Sequence, residues 1–348
     1  MDKRGSLRIG IGVAVVAGAC ATAFVAGGSR PVAAAPEASP AAAAMDPAVA
    51  LQRDLVRVVN TVRPSVVEIS TSTGLGSGVV YDAKGDIVTN AHVVGDATSF
   101  TVSLSNGTRL AARLVGMFAP DDLAVLRVST TKKLTPATFA RSATVQVGEI
   151  VLAMGNPLGL SSSVTDGIVS FNGRTLSEGN GVVLTDLIQT SAAINPGNSG
   201  GALVNIAGRV IGIPTLAASS GSGAAAGLGF AIPTDTVKLI VPQLIATGKV
   251  TTAGRAALGV SGATAQTYSG ENVGVVVTAV QANGPAAKAG ILVGELITAV
   301  NGRATPTFAD LQAILATLKP GSRATVAVTS ASGAKRTATV VLGDLASS

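Results

Sequence analysis

From position 51 to 248 the chain returns repeatedly to short β-branched runs cut off by turn residues, at 65–71, 78–81, 87–89, 100–104, 123–128, 150–154, 167–171 and 210–213. Side chains that branch at Cβ suit a pleated strand and crowd a helix. Glycine, present 42 times in 348 residues, supplies the turns between the runs. Strands at this spacing predict an all-β sandwich or barrel in place of alternating βαβ units. The roughly two hundred residues involved suit a pair of packed barrels.

Beyond about residue 257 the pattern changes to strands that enclose helices. Runs at 273–280 and 296–300 read as strands, the second ending at the turn Asn301-Gly302, and Pro285 opens a short helix to Ala289 between them. Phe308, Leu311, Ile314, Leu315 and Leu318 then recur at helical spacing until Pro320-Gly321 ends the run. Alternating strands at 324–329 and 337–342 close what is predicted to be a second, smaller α+β domain.

Composition narrows the chemistry. The net charge is +6, but the basic residues are scattered and only 3% of residues are aromatic. Neither a stacking platform nor a basic stripe is present, so a nucleic-acid partner is excluded. A single cysteine, Cys20, rules out an intramolecular disulfide, and a single histidine removes most zinc sites. No metal or cofactor is expected.

Lys3, Arg4 and Arg8 precede an uncharged run at 9–28. The positive flank stays cytoplasmic while the downstream chain is carried across, so the remainder is expected outside the cytoplasm, membrane-anchored or secreted. Residues 1–29 are read as an N-terminal signal or membrane anchor. Ala33-Ala34-Ala35 offers a small-residue cleavage site, and both the cleaved and the retained reading stay open. Ala17-Gly18-Ala19-Cys20 loosely resembles a lipoprotein processing site, but it lacks the larger aliphatic residue three places before the cysteine. Residues 30–50, mostly alanine and proline, cannot build a core and read as a linker.

Hydrolysis by a serine needs an exposed hydroxyl, a neutral imidazole to take its proton, a carboxylate to orient that imidazole, and donors for the oxyanion. Gly197-Asn198-Ser199-Gly200-Gly201 places a serine in a glycine-rich turn, with the amides of Gly197 and Ser199 as oxyanion donors. The same pentapeptide satisfies the nucleophile-elbow pattern of α/β-hydrolases, in which histidine comes after serine. Here the only histidine, His92, comes first, in Thr89-Asn90-Ala91-His92-Val93-Val94 at the end of an expected strand. That order agrees with the His, Asp, Ser order of chymotrypsin-like enzymes. Asp96, Asp121, Asp122, Asp166 and Asp186 all lie between the two. Asp122 directly precedes the apolar strand Leu123-Ala124-Val125-Leu126, which would hold it rigid and desolvated, and Asp121 is its rival.

Together these residues resemble the HtrA/Deg family of trypsin-like serine proteases with a C-terminal PDZ domain. The likeness rests on Gly76-Ser77-Gly78-Val79-Val80, on the segments around His92, Asp122 and Ser199, on Gly155-Asn156-Pro157-Leu158-Gly159, and on Gly227-Leu228-Gly229-Phe230-Ala231-Ile232-Pro233. It implies a mainly β architecture: a chymotrypsin-like double β-barrel protease domain at 51–248 followed by a PDZ domain (α+β) at 257–348. It also implies an ATP-independent endoprotease of the cell envelope that degrades unfolded or damaged proteins. Ile194 and Leu228 look like walls of the primary specificity pocket. With no acidic residue close before Ser199, cleavage after small or medium aliphatic residues is the expected preference. Leu258, Gly259 and Val260, in Ala257-Leu258-Gly259-Val260, resemble the carboxylate-binding loop that captures peptide C-termini. Family members assemble as homotrimers through aromatic residues near the start of the protease, and the stretch 48–67 has none. Two functions are compatible with these residues: a protease with His92 as general base, losing activity as pH falls through about 6 to 7, or a PDZ-bearing chaperone or peptide-sensing scaffold with a latent triad.

Overall fold

The computed structural model describes residues 46–72, 74–156, 163–177, 183–195, 197–220 and 223–346. The signal or anchor expected at 1–29 lies outside them. Among the described residues no helix is long and apolar enough to cross a membrane.

The linker expected to reach residue 50 ends sooner, because helix α1 spans Pro47–Val62. Asp46 caps it by accepting the Ala48 amide at 2.9 Å, and Pro47 occupies the first turn, where its missing N–H costs nothing. Alanine and proline hide this start in the composition. Periodicity exposes it, since Leu55, Val58, Val59 and Val62 share the face that packs on the protein core.

The first barrel is built from β1 (Val66–Ser70), β2 (Leu75–Val80), β3 (Asp86–Thr89), β4 (Phe100–Ser103), β5 (Arg109–Phe118) and β6 (Leu123–Val128). These strands close in the order β1-β2-β3-β6-β5-β4. A second six-stranded barrel contains β7 (Ile150–Gly155), β8 (Ser163–Ser177), β9 (Val183–Thr190), β10 (Ala202–Asn205), β11 (Val210–Ser220) and β12 (Gly223–Pro233), in the order β10-β11-β12-β9-β8-β7. Successive side chains on a strand point to opposite faces, and in β1, β3 and β6 both faces are buried. In β1, Val67 and Ile69 join a cluster drawn only from the first barrel, whereas Val66 joins a larger cluster drawn from both. This shared core explains why the strands read as continuous β-branched runs instead of alternating ones.

Helix α2 (Ala91–Val94) follows β3, and α3 (Thr234–Thr247) follows the second barrel. Val237, Ile240, Val241 and Leu244 of α3 recur at helical spacing and enter the shared core with Val58 and Val62 of α1. Gly248, at φ +74°, ends α3 by donating to the Leu244 carbonyl at 2.9 Å.

The remaining chain forms β13 (Ala256–Ala257), β14 (Val260–Gln266), β15 (Asn272–Val280), α4 (Pro285–Lys288), β16 (Leu296–Val300), β17 (Arg303–Ala304), α5 (Phe308–Ala316), β18 (Arg323–Thr329), β19 (Lys335–Val341) and β20 (Gly343–Asp344). The sheet runs β14-β15-β16-β18-β19, with β17 paired to β16. It has its own core, including Leu258, Val277, Ile297, Leu311 and Val326. Thr307 and Asp310 cap α5 reciprocally, each side chain bonding the other's backbone amide, at 3.1 and 3.0 Å. Strand β20 returns to pair with β13, so the last strand is joined to the segment that leaves the protease barrels.

Candidate active site

Strand register brings the first two site residues together. Thr89, the last residue of β3, pairs with Ala124 of β6, so the chain leaving β3 and the chain entering β6 meet at one edge of the barrel. His92 lies three residues beyond that pair on one side and Asp122 two residues before it on the other. The Asp122 carbonyl accepts the Ala91 amide and the Asn90 side-chain amide, both at 3.1 Å.

The carboxylate of Asp122 is 2.8 Å from Nδ1 of His92 and accepts the His92 backbone amide at 3.0 Å. The Thr215 hydroxyl also donates to it, at 2.5 Å. An Nδ1 facing a buried carboxylate carries the proton, which leaves Nε2 with its lone pair and able to act as a base. The aspartate side chain is 4% exposed and the imidazole 43% exposed, so the imidazole is accessible while the carboxylate is dry. Asp122 holds φ +49°, directly after the 3-10 turn Ala119–Asp121. Its neighbour Asp121 faces elsewhere. Burial pushes the Asp121 carboxyl above its ordinary range, the adjacent Arg255 guanidinium pulls it back in part, and Asp186 adds to the rise.

Ser199 lies in a turn that precedes β10. Its Oγ donates to the Thr215 carbonyl at 3.2 Å, so Thr215 touches both the serine hydroxyl and the carboxylate that orients His92. The turn is tied to the first barrel through Ser77, whose amide donates to the Ser199 carbonyl at 2.9 Å and whose hydroxyl donates to the Gly197 carbonyl at 2.5 Å. The amide of Asn156 in turn donates to the Ser77 hydroxyl at 2.8 Å. Gly200 sits at φ +79° against the Ser77 carbonyl, where an added Cβ would overlap it. Asn198 braces the same turn, accepting the Asn195 amide at 3.0 Å and donating to the Ala193 carbonyl at 3.1 Å. These bonds hold the backbone on both sides of Ser199. Gly197 itself adopts φ +111°, a conformation that favours glycine.

Of the expected pocket residues, Ile194 is buried and packs with the second barrel, while Leu228 is 39% exposed. Gly229, next to Leu228 in the chain, lies directly against Ile194. The expected carboxylate loop lines a groove of about 620 Å³ between β14 and α5, with Leu258, Val260, Phe308, Leu311 and Leu315 among its walls. Gly259 in that loop has φ +70°. Among the described residues no group of three acidic, histidine or cysteine side chains is placed to hold a metal ion.

Two residues of this neighbourhood carry no signal of their role in the sequence. Thr215 is a lone threonine inside a strand, and only its position beside both Asp122 and Ser199 shows its use. Ser77 stands in the segment Gly76-Ser77-Gly78, but its role as the tie between barrels depends on the fold.

A model of the trypsin-like peptidase domain matches residues 76–213, and one of the PDZ domain matches residues 276–329. The chain is 43% identical over 260 residues to a probable periplasmic serine endoprotease DegP-like of Brucella suis, covering 73% of this chain and 49% of the relative. It is 42% identical over 259 residues to the periplasmic serine endoprotease DegP of Escherichia coli K12, covering 72% and 53% respectively. The chain thus spans about half the length of the curated relatives it matches. Among solved structures, the serine endoprotease from Yersinia pestis superposes with a TM-score of 0.56 at 34% identity, covering 83% of this chain and 97% of that one. The HtrA-type protease AlgW with decapeptide gives 0.57 at 33% identity, covering 83% and 98%. With both domains matched in order on a mainly β double-barrel architecture, the chain belongs to the HtrA/DegP family of trypsin-like serine proteases that carry a PDZ domain.

Proposed function

We propose that the chain is an ATP-independent serine endoprotease acting outside the cytoplasm on unfolded or damaged proteins. The observation that carries this reading is the arrangement around Thr215: one residue bonds the carboxylate that holds His92 and accepts the hydroxyl of Ser199. In this reading the Ser199 hydroxyl turns from the Thr215 carbonyl to His92 and attacks a peptide carbonyl as Nε2 takes its proton. Asp122 stabilises the imidazolium, and the amides of Gly197 and Ser199 hold the oxyanion. The imidazolium then protonates the leaving amine, and water hydrolyses the acyl-enzyme by the same route. Ile194 and Leu228 favour a small or medium aliphatic side chain before the cleaved bond.

Residues 257–348 act as the peptide-binding module, with Leu258, Gly259 and Val260 taking the terminal carboxylate as the peptide adds beside β14. The protease portion is 51–248, extended at its start by α1. Periplasmic relatives support the extracytoplasmic location. Residues 1–29 then serve as export signal or anchor, and a homotrimer is the assembly to be tested.

The test is casein hydrolysis by residues 46–348 beside a Ser199→Ala form, with and without an apolar C-terminal peptide, across a pH series. Cleavage is expected only with Ser199 and should fall as His92 becomes protonated. Suppressed aggregation with no cleavage in any arm would replace the protease with a chaperone or scaffold. Light scattering on the same sample reads the oligomer.

A further inference from the structure

Arg255 lies in the segment between α3 and β14, and its side chain is only 14% exposed. One terminal nitrogen donates to the Pro120 carbonyl at 2.7 Å and to Asp121 Oδ1 at 2.5 Å, and the other donates to the Val183 carbonyl at 2.8 Å. Two of these three acceptors belong to the 3-10 turn whose next residue is Asp122. That residue is a non-glycine in the left-handed region, a conformation that persists only where the surroundings impose it. Its amide closes the turn by donating to Ala119 at 3.0 Å. A tilt of the turn would therefore swing the Asp122 carboxylate away from His92.

The anchor behind the guanidinium is also fixed. The Arg255 carbonyl accepts the Leu345 amide at 2.8 Å, and Asp344 Oδ1 accepts the amides of Ala253 and Gly254 at 2.8 and 2.9 Å. On its other side Arg255, with Ala119 and Pro120, walls the groove between β14 and α5. Asp186 and Asp235 line a neighbouring cleft with Arg255 and Asp121, so the guanidinium is the cation among three carboxylates there. Lysine would keep the charge but not the planar fork that reaches two carbonyls and a carboxylate at once.

We infer that Arg255 is a positioning residue for the triad: it clamps the turn that delivers Asp122 to His92, from a segment that also forms a wall of the peptide groove. The inference rests on the protease reading of the site. Arg255 touches no reacting atom, so its loss acts on the orientation of the imidazole and leaves the specificity pocket intact.

Because the chain has one histidine, its imidazole can be followed alone by nitrogen and proton magnetic resonance on the full chain labelled at histidine. Arg255→Ala is expected to weaken or lose the low-field Nδ1–H resonance of His92 and to move its titration midpoint. Arg255→Lys should restore part of both, and Arg336→Ala, which breaks the Arg336–Glu295 pair in the PDZ sheet, should leave them unchanged. In peptide hydrolysis, Arg255→Ala should lower kcat about tenfold or more with KM within about twofold. A folded Arg255→Ala protein with wild-type resonance, midpoint and kcat would overturn the inference, as would equal losses in Arg336→Ala. Should Arg255→Ala not fold, Arg255→Lys decides alone: an unchanged midpoint and kcat there refute the clamp. An inactive wild type would refute the protease reading, while the His92 resonance still tests the clamp.

Discussion

At the scale of single residues, the site depends on side chains that hold other side chains. Thr215→Val keeps the carbonyl that accepts from Ser199 and removes the hydroxyl on Asp122. A hydrogen bond to a carboxylate contributes about 1.5–3 kcal/mol, so kcat should fall about tenfold or more while folding is retained. Steady-state kinetics beside a thermal melt check this, and an unchanged kcat would show that the threonine only fills space. The sequence singles out the serine turn, the lone histidine and the aspartate before an apolar strand because chain order and that strand constrain them, and the Asp122 carboxylate does face His92. The bonds of Thr215 to Asp122 and of Arg255 to Asp121 were not legible. They join positions 93 and 134 residues apart, and no local pattern announces a contact of that range.

At the scale of elements, strands buried on both faces were the readable ones, since every position demands an apolar, often β-branched side chain. Strand β5 (Arg109–Phe118) escaped because one of its faces is largely open and carries arginine and alanine. Strand β12 escaped because it is mostly glycine and alanine, which carry little propensity signal. Helix α3 was hidden by Val237, Ile240, Val241 and Ile245, residues that favour strands, and by Pro242 inside it. Its place is decided by packing instead, as its apolar face completes the core shared by the two barrels. Ile240→Ala, at a fully buried position, should therefore cost about 3 kcal/mol in a urea titration. A loss below about 1 kcal/mol would mean that the helix adds little to that core.

At the scale of the whole molecule, protease barrels and PDZ sheet form one compact unit, Asp46–Ser348. Helix α5 lies against β8 and β9, and Leu345 packs against the core shared by the barrels. Their junction is held by Asp344, whose carboxylate takes the amides of Ala253 and Gly254. Asp344→Ala should speed amide hydrogen exchange at those two residues at least about tenfold, since each lost bond to the carboxylate is worth about 1.5 kcal/mol or more. Unchanged exchange there would show that the β13–β20 pairing alone secures the segment. The same closure sets an order in time during synthesis. Barrels made of residues 66–233 can condense while later residues are still on the ribosome, but the tie on Arg255 needs residues 344 and 345. A nascent chain therefore carries His92, Asp122 and Ser199 well before the residues that tie down the segment of Arg255 have been made.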